Sequence, residues 1–171
     1  MKSLSILGVV LALLLAGCAA GPGPDSADCA GQQSLRIENA WARATTSGTP
    51  AAGGMNMATP PGGGVSMNVT SAAYLVISNC GSQPEKLLSA ASDAAELTQI
   101  HQTVTENGVS KMMEVGQIEI PAGKKVELKP GGLHVMMMAL KKEIPAGATV
   151  NLTLTFEKAG KIPVAATAKN P

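Results

Sequence analysis

Residues 97–115 read LTQIHQTVTENGVSKMMEV, a segment with the pattern of a β-hairpin. Two strand-like runs, at residues 97–104 and 109–115, are separated by a segment that contains Asn107-Gly108. An Asn-Gly pair between two such runs is typical of a two-residue β-hairpin turn. The segment therefore predicts two antiparallel strands, at residues 97–104 and 109–115, with Glu106 opposite Val109.

Short strand-like runs continue on both sides of this hairpin, and most of them end at turns rich in Gly, Pro or Asn. The other predicted strands lie at about residues 35–41, 73–78, 86–91, 118–120, 125–128, 133–141, 150–156 and 162–168. We expect no helix, apart from a turn near residues 92–96. Short strands with regular spacing predict an all-β fold, either a β-sandwich or a barrel.

The N-terminus has the pattern of a bacterial lipoprotein signal. Lys2 precedes an apolar run at residues 4–15, and Leu15-Ala16-Gly17-Cys18 follows it. A basic start, an apolar stretch and small residues at the cleavage site are typical of a secretory signal, and this run is too short to span a membrane. We therefore expect that Cys18 becomes a lipid-modified first residue that anchors the chain outside the cytoplasm, in the periplasm or at the cell surface. An ordinary signal peptide with an incidental cysteine is the alternative.

The rest of the chain divides into a tether and one domain. Residues 18–33 are mostly Gly, Pro, Ala, Ser, Asp and Gln, a composition typical of a flexible linker. A domain at residues 34–168 follows. Residues 44–70 lose the strand periodicity and are rich in Gly, Pro, Thr and Ala, so we interpret them as a long irregular insertion.

Charge and motifs exclude several classes of function. The 171 residues include 13 Lys and Arg and 12 Asp and Glu, and removal of Lys2 with the signal leaves twelve of each. A nucleic-acid partner would require a basic face, so we expect none. No Ser/His/Asp set, phosphate-binding loop or suitably placed carboxylate pair is readable, so we do not expect an enzyme.

Two cysteines, Cys29 and Cys80, remain besides the lipidation site. Disulfides are the usual state of cysteines outside the cytoplasm. We therefore predict a disulfide that joins the end of the tether to the domain. The alternative is that one of the two cysteines is a thiolate copper ligand.

The chain contains only two histidines, His101 and His134, and each has methionines nearby. His134 and Met136 are two residues apart on a predicted strand, so their side chains share a face. In the predicted hairpin, Met112 lies diagonally from His101 on one face, at roughly 7–8 Å. A bulge in the turn would reverse this parity. The sequence therefore predicts that these four side chains can surround one ion.

Two imidazoles and two thioethers form a soft, uncharged ligand set. Thioether sulfur favours Cu(I) over hard cations, and Zn(II) would normally recruit thiolate, carboxylate or additional His. A blue-copper site would require a free thiolate, such as an unbridged Cys80. We therefore expect a single Cu(I) ion in a roughly tetrahedral site near the surface. The predicted ligands are His101, Met112, His134 and Met136.

The spacing of these residues and their flanking sequence resemble a known family. Ten residues separate His101 from Met112, and twenty-one separate Met112 from His134-Val135-Met136. The flanking segments are AWARA at 40–44, AAYL at 72–75, LKPGGLHVMMM at 128–138 and LTLTFE at 152–157. Together they are similar to the periplasmic copper chaperones called PCuAC, over about residues 34–168. Two features depart from that family: the insertion is longer than expected, and there is no His- or Met-rich C-terminal tail.

The resemblance implies a cupredoxin-like Greek-key β-sandwich. It also implies delivery of Cu(I) to the CuA centre of cytochrome c oxidase, alongside Sco-type partner proteins. We further expect a monomer. Three other functions stay open: a copper buffer or resistance protein, an electron-transfer cupredoxin, and a structural or adhesive sandwich without metal.

The remaining methionines and neighbours of the site divide into three groups. We expect Met113, Met137, Trp41 and Tyr74 in the core. Met138 shares the face of Met136 and is a candidate auxiliary ligand, as are Met55, Met57 and Met67 in the insertion. Glu114 and Thr103 are candidate hydrogen-bond acceptors for the second N–H of a metal-bound imidazole, since ligating histidines usually have such a partner.

Overall fold

The computed structural model describes residues 34–45, 69–106 and 108–170, and within these residues it contains ten β-strands and no helix. No helix in these ranges is long and apolar enough to cross a membrane. The strands are β1 Leu35–Arg43, β2 Ser71–Asn79, β3 Glu85–Ser92, β4 Ala95–Glu106, β5 Val109–Glu114, β6 Ile118–Ile120, β7 Lys125–Leu128, β8 Leu133–Leu140, β9 Thr149–Phe156 and β10 Gly160–Lys169. The all-β prediction is confirmed, and each predicted strand corresponds to an observed one.

Several predicted features lie outside the described residues. The signal sequence, the tether and most of the insertion are among them, and so is Asn107 of the hairpin turn. The same holds for Cys18, Cys29, Met55, Met57 and Met67, whose proposed roles stay predictions.

Strand pairing follows the order β5-β4-β8-β2-β1-β10-β9-β3-β6, with β7 paired to β2. All of these pairs are antiparallel except β1 with β10. β1 joins the two halves of the order, because it pairs with β2 along most of its length and with β10 at Trp41–Arg43. Its register against β2 shifts between Glu38 and Trp41, where Asn39 has a φ of 53°. Asn tolerates this left-handed conformation better than most residues, so it suits a bulge.

One apolar cluster connects the two halves. Strands β2, β4 and β8 each contribute side chains to it, including Leu75, Ile100 and Val135. Leu152 and Leu154 of β9 enter it from the other half. The two halves therefore pack face to face as a sandwich, and one face of β4 and β8 is left turned away from the core. Met137, predicted to be a core residue, is fully buried in this cluster.

The turn between β9 and β10 is held by a buried carboxylate at the start of β3. Glu85 is only 5% exposed and accepts backbone hydrogen bonds from Lys86, Lys158 and Ala159 at 2.9–3.0 Å. Burial raises the pKa of Glu85, but these three donors and the charge of Lys158 together outweigh it, so the net pKa lies below the ordinary value. The charged form of Glu85 is therefore the one that stabilises the fold.

Replacing Glu85 with Gln is expected to destabilise the protein by on the order of 2 kcal/mol at neutral pH, because the amide leaves backbone donors without a charged acceptor. The lowered pKa means that the contribution of Glu85 is present above about pH 4.3 and is lost as the pH falls through the folded-state pKa. Urea unfolding at about pH 7 and pH 3 measures both effects. The difference in the free energy of unfolding between the parent and Glu85→Gln should shrink at the lower pH. The exposed Glu119→Gln control should match the parent at both pH values. A difference that stays constant would show that the charge of Glu85 is not its source.

Candidate metal centre

The central strand of the candidate site is β4, which pairs with β5 on one side and β8 on the other. His101 lies opposite Glu114 of β5 and opposite His134 of β8. Thr103 lies opposite Met112, so the predicted hairpin register is confirmed. Directly opposed residues in antiparallel strands share a face, and Met112 is therefore a diagonal neighbour of His101.

Met136 completes the arrangement from β8. It lies opposite Gln99, two residues before His101 on the same face of β4. The structure thus places the four predicted ligands on the face of the sheet that is turned away from the core. Two of them, His101 and His134, form a directly opposed pair, and Met112 and Met136 flank this pair on the diagonals.

The two imidazole rings lie close together at an angle. Their centroids are 6.0 Å apart and their planes are inclined by 60°. His134 is 4% exposed, and its Nδ1 is 3.0 Å from the carbonyl oxygen of Gly132. An Nδ1–H that donates to this carbonyl leaves the lone pair of Nε2 available for a metal ion.

One ring nitrogen of His101 has no hydrogen-bond partner among the described residues. Its Nε2 is 3.2 Å from Oε1 of Gln99, whereas its Nδ1 is buried without a hydrogen-bond partner. Buried polar atoms nearly always have a partner, and an exception calls for an explanation such as a missing ion. A metal ion bound at Nδ1 would satisfy this nitrogen, so the residues present fit a metal site.

The electrostatic surroundings keep His101 uncharged at neutral pH. Burial is the main cause that lowers its pKa, and the neighbouring His134 lowers it further. The carboxylate of Glu114 acts in the opposite direction and raises the pKa, but it does not offset the other two effects. A neutral imidazole is the form that binds a metal, so the folded protein presents His101 ready for ligation.

The two proposed thioether ligands differ in exposure. Met112 is 59% exposed because β5 is the last strand of the sheet. Met136 is partly buried between β2 and β4, opposite Ala72 and Gln99. Met138 lies farther along the same face, opposite Leu97, at the position expected of a residue that continues the site. The candidate site is therefore shielded from solvent at His134 and exposed to solvent at Met112.

An aromatic pair continues the row of side chains beyond His134. The ring centroid of Tyr74 is 6.4 Å from that of His134, and the centroid of Trp41 is 4.5 Å from that of Tyr74. The sequence predicted both aromatics as core residues. Tyr74 is buried, but it lies beside an imidazole and outside the apolar cluster, and Trp41 is only partly buried. The pairing of β2 with β8, which the sequence does not specify, brings Tyr74 to the site.

Two details differ from expectation. Met113 is not a core residue but is 54% exposed, because the hairpin extends past the end of the core and Gln102 opposite it is exposed as well. The hydrogen-bond partners of the two imidazoles are Gln99 and Gly132, where the sequence had suggested Glu114 and Thr103. Both observed partners precede their histidine by two residues on the same strand or at its start. That local spacing was the signal available in the sequence.

The positions of cysteine and carboxylate side chains limit which of them could bind a metal ion at this site. Cys80 is disulfide-bonded and so offers no thiolate, and the pairing with Cys29 stays a prediction because Cys29 is not described. Among the described residues, no group of three or more His, Cys, Asp and Glu side chains could hold a metal ion. The other side chains that the described residues bring to the two imidazoles include the thioethers of Met112 and Met136.

Comparison with known proteins identifies relatives over most of the chain. Residues 35–168 match the family described as LpqE-like lipoproteins. A protein of Leifsonia xyli subsp. xyli named as a lipoprotein, Lxx21020, is 32% identical over 173 residues, which cover 99% of this chain and 90% of the relative. The uncharacterized protein RP573 of Rickettsia prowazekii is 32% identical over 88 residues, which cover 51% of this chain and 49% of that protein.

Solved structures with the same fold come from copper proteins. The copper-bound PCuAC domain from PmoF2 has a TM-score of 0.59 and 24% identity, over 81% of this chain and 95% of that domain. The solution structure of CuI-DR1885 from Deinococcus radiodurans has a TM-score of 0.55 and 32% identity, over 82% of this chain and 83% of that one. The predicted resemblance to PCuAC proteins and the predicted cupredoxin-like fold are therefore confirmed.

Replacing Glu114 with Gln is expected to lower the pKa of His101 further, because it removes the one nearby charge that favours the imidazolium form. An NMR titration of the metal-free protein measures this pKa from the ring protons of His101. The exposed Glu106→Gln, at the far end of β4, is the matched control and should leave the pKa of His101 as it is. A pKa that does not move in Glu114→Gln would show that the charge of Glu114 does not reach the ring.

Proposed function

This chain belongs to the LpqE-like lipoprotein family, and we propose that it is a copper chaperone that works outside the cytoplasm. It binds one Cu(I) ion and passes it to an acceptor by ligand exchange. The proposed ligands are His101, Met112, His134 and Met136.

One observation carries this proposal: two opposed imidazoles, with centroids 6.0 Å apart, share their face with two methionines. The buried and unpartnered Nδ1 of His101 supports it, since a metal ion would supply the missing partner. The proposed set has no charged ligand and two soft sulfur atoms. Such a set favours Cu(I), whereas Zn(II) would normally recruit thiolate, carboxylate or additional imidazole ligands, and Mg²⁺ and Ca²⁺ prefer oxygen ligands.

The difference in exposure between the ligands suits transfer. Met112 stands on an edge strand and is 59% exposed, so an incoming ligand from an acceptor can replace its sulfur first. His134 is 4% exposed and held by a backbone carbonyl, so it can retain the ion until the acceptor has engaged it. Thioethers bind without deprotonation, and their replacement therefore requires no proton transfer.

The relatives support copper as the cargo. DR1885, which is 32% identical to this chain, has been solved in its Cu(I) form, and the PmoF2 domain with the same fold has been solved with copper bound. The finer parts of the proposal rest on the resemblance of the sequence to PCuAC proteins. They are delivery to the CuA centre of cytochrome c oxidase, cooperation with Sco-type proteins and anchoring through lipid on Cys18. An electron-transfer cupredoxin is disfavoured because the disulfide-bonded Cys80 lacks the thiolate that such a site requires.

Met112 and Met113 offer a matched test of the ligand assignment. They are neighbours on β5 and similarly exposed, at 59% and 54%, but they point to opposite faces. Met112→Leu is expected to weaken Cu(I) binding by at least about tenfold, since loss even of an outer hydrogen-bond partner of a metal ligand typically costs that much. Met113→Leu should bind as the parent does. Competition titration with a colorimetric Cu(I) chelator, under anaerobic conditions, measures both affinities.

Leu and Met have similar volumes, so both substitutions should preserve the fold. Equal affinities for Met112→Leu, Met113→Leu and the parent would remove Met112 from the ligand set. His101→Ala and Met136→Ala extend the test, and each should weaken binding substantially. Unchanged binding in both of these variants would show that the site is elsewhere.

A transfer experiment separates a chaperone from a copper buffer. The Cu(I)-loaded mature chain is mixed with a metal-free CuA domain, the two proteins are separated, and the copper content of each is measured. We expect most of the copper on the CuA domain, because its cysteine thiolates bind Cu(I) more strongly than thioethers do, and the exposed Met112 side of the site gives them access. The control replaces the CuA domain with the same domain lacking its cysteine ligands. Copper retained by the chain in the first mixture would favour a buffering role over delivery.

A further inference from the structure

The side chain of Gln99 contacts the imidazole ring of His101. It precedes His101 by two residues on the same face of β4 and lies opposite Met136. Its Oε1 is 3.2 Å from Nε2 of His101. The other ring nitrogen, Nδ1, is buried and has no hydrogen-bond partner. The contact with Gln99 therefore decides which nitrogen of a neutral His101 carries the proton.

Two arrangements of the proton are conceivable. In the first, Nε2–H donates to the amide oxygen of Gln99, and Nδ1 keeps a free lone pair. In the second, the amide N–H of Gln99 donates to Nε2, and Nδ1 carries a hydrogen without an acceptor. A buried N–H without a partner costs about 1–3 kcal/mol, and such donors are rarer in proteins than unpaired acceptors. The first arrangement is therefore favoured, and only that one gives a neutral ring a lone pair on the buried side.

We propose that Gln99 is a positioning residue that holds His101 in the Nε2–H tautomer and so makes Nδ1 the nitrogen offered to the metal ion. The identity of the ion as Cu(I) rests on the proposed function, whereas the tautomer is a property of the metal-free protein. Gln99 acts through His101 and does not itself bind the ion.

His134 is held in the opposite way. Its Nδ1 is 3.0 Å from the carbonyl oxygen of Gly132, so Nδ1 carries the hydrogen and Nε2 is free. The two imidazoles thus offer different nitrogens, Nδ1 of His101 and Nε2 of His134. Nδ1 lies nearer to the backbone than Nε2 does.

The tautomers can be read directly by NMR. Two-bond ¹H–¹⁵N correlation spectra distinguish a protonated ring nitrogen from one with a free lone pair, and the metal-free ¹⁵N-labelled mature chain is measured at about pH 8, above the usual histidine pKa of about 6.5. We expect a protonated Nε2 in His101 and a protonated Nδ1 in His134. On addition of Cu(I), the ¹⁵N signal of Nδ1 in His101 should shift most. A protonated Nδ1 in metal-free His101, or a shift confined to its Nε2, would overturn the proposal.

Three variants test the part played by Gln99. Gln99→Leu removes the acceptor, so His101 should become a mixture of tautomers and Cu(I) affinity should fall by about 10–100-fold. Gln99→Glu keeps an oxygen acceptor at the same place and should retain the Nε2–H tautomer. Gln102→Leu is the matched control, because Gln102 is an exposed glutamine of the same strand that points to the other face. In Gln102→Leu, the tautomer of His101 and the Cu(I) affinity should match those of the parent.

The possible failures are distinguishable. If His101 of Gln99→Leu is still found only as the Nε2–H tautomer, Gln99 does not set the tautomer and the inference is wrong. If the chain binds no Cu(I), the proposed function fails, but the spectra of the metal-free parent and of Gln99→Glu still decide the tautomer. The backbone amide spectrum of each variant shows whether the rest of the sheet is intact. A Gln99→Leu protein that does not fold leaves the parent and Gln99→Glu spectra to decide the proposal.

Discussion

The register in which β4 pairs with β8 is the constraint on which the candidate site depends. It sets His101 against His134 and Gln99 against Met136. A shift by one residue would turn every side chain of the shifted strand to the other face of the sheet. The register is fixed from the core side by Val135 and its alternating neighbours, which are buried because they fill the space between the two halves of the sandwich. The packing that stabilises the fold therefore also brings the two imidazoles together.

The position of the site in the sheet explains its uneven exposure. Moving outward from β2 to β5, the side chains on the site face pass from the buried Tyr74 and His134 to the partly buried His101 and then to the exposed Met112. This gradient follows from strand order alone, since β5 has a neighbour on one side only. A site in the centre of the sheet would enclose its ion, and a site on β5 alone would lack a second imidazole. The candidate site combines one buried and one partly buried imidazole with an accessible sulfur.

Local sequence patterns predicted the strands and the faces of their side chains, whereas the pairing of distant strands could not be predicted. The strands and the hairpin register followed from alternation and from the Asn-Gly turn, and His134 and Met136 share a face simply because they are two residues apart. The pairing of β4 with β8 and of β2 with β8 involves distant segments, so the contact of Tyr74 with His134 could not be read from periodicity. Met113 was wrongly assigned to the core because periodicity gives the face of a side chain but not the point at which the core ends. The partners Gln99 and Gly132 were missed, although their spacing of two residues from each histidine was visible.

The hydrogen-bond acceptor of one imidazole is a backbone group and that of the other is a side chain. Under the proposed function, this difference affects how the two imidazoles release Cu(I). The acceptor for His134 is a backbone carbonyl at the entry to β8, and its position does not depend on a side-chain rotamer. The acceptor for His101 is a side-chain amide that can rotate away. His134 therefore keeps its ligating geometry in every state in which β8 is folded, whereas His101 keeps its geometry only while Gln99 is in place. Together with the exposure of Met112, this orders three of the four proposed ligands by how firmly they are held: Met112 least, His101 next and His134 most. An acceptor that approaches from the edge strand meets them in the same order.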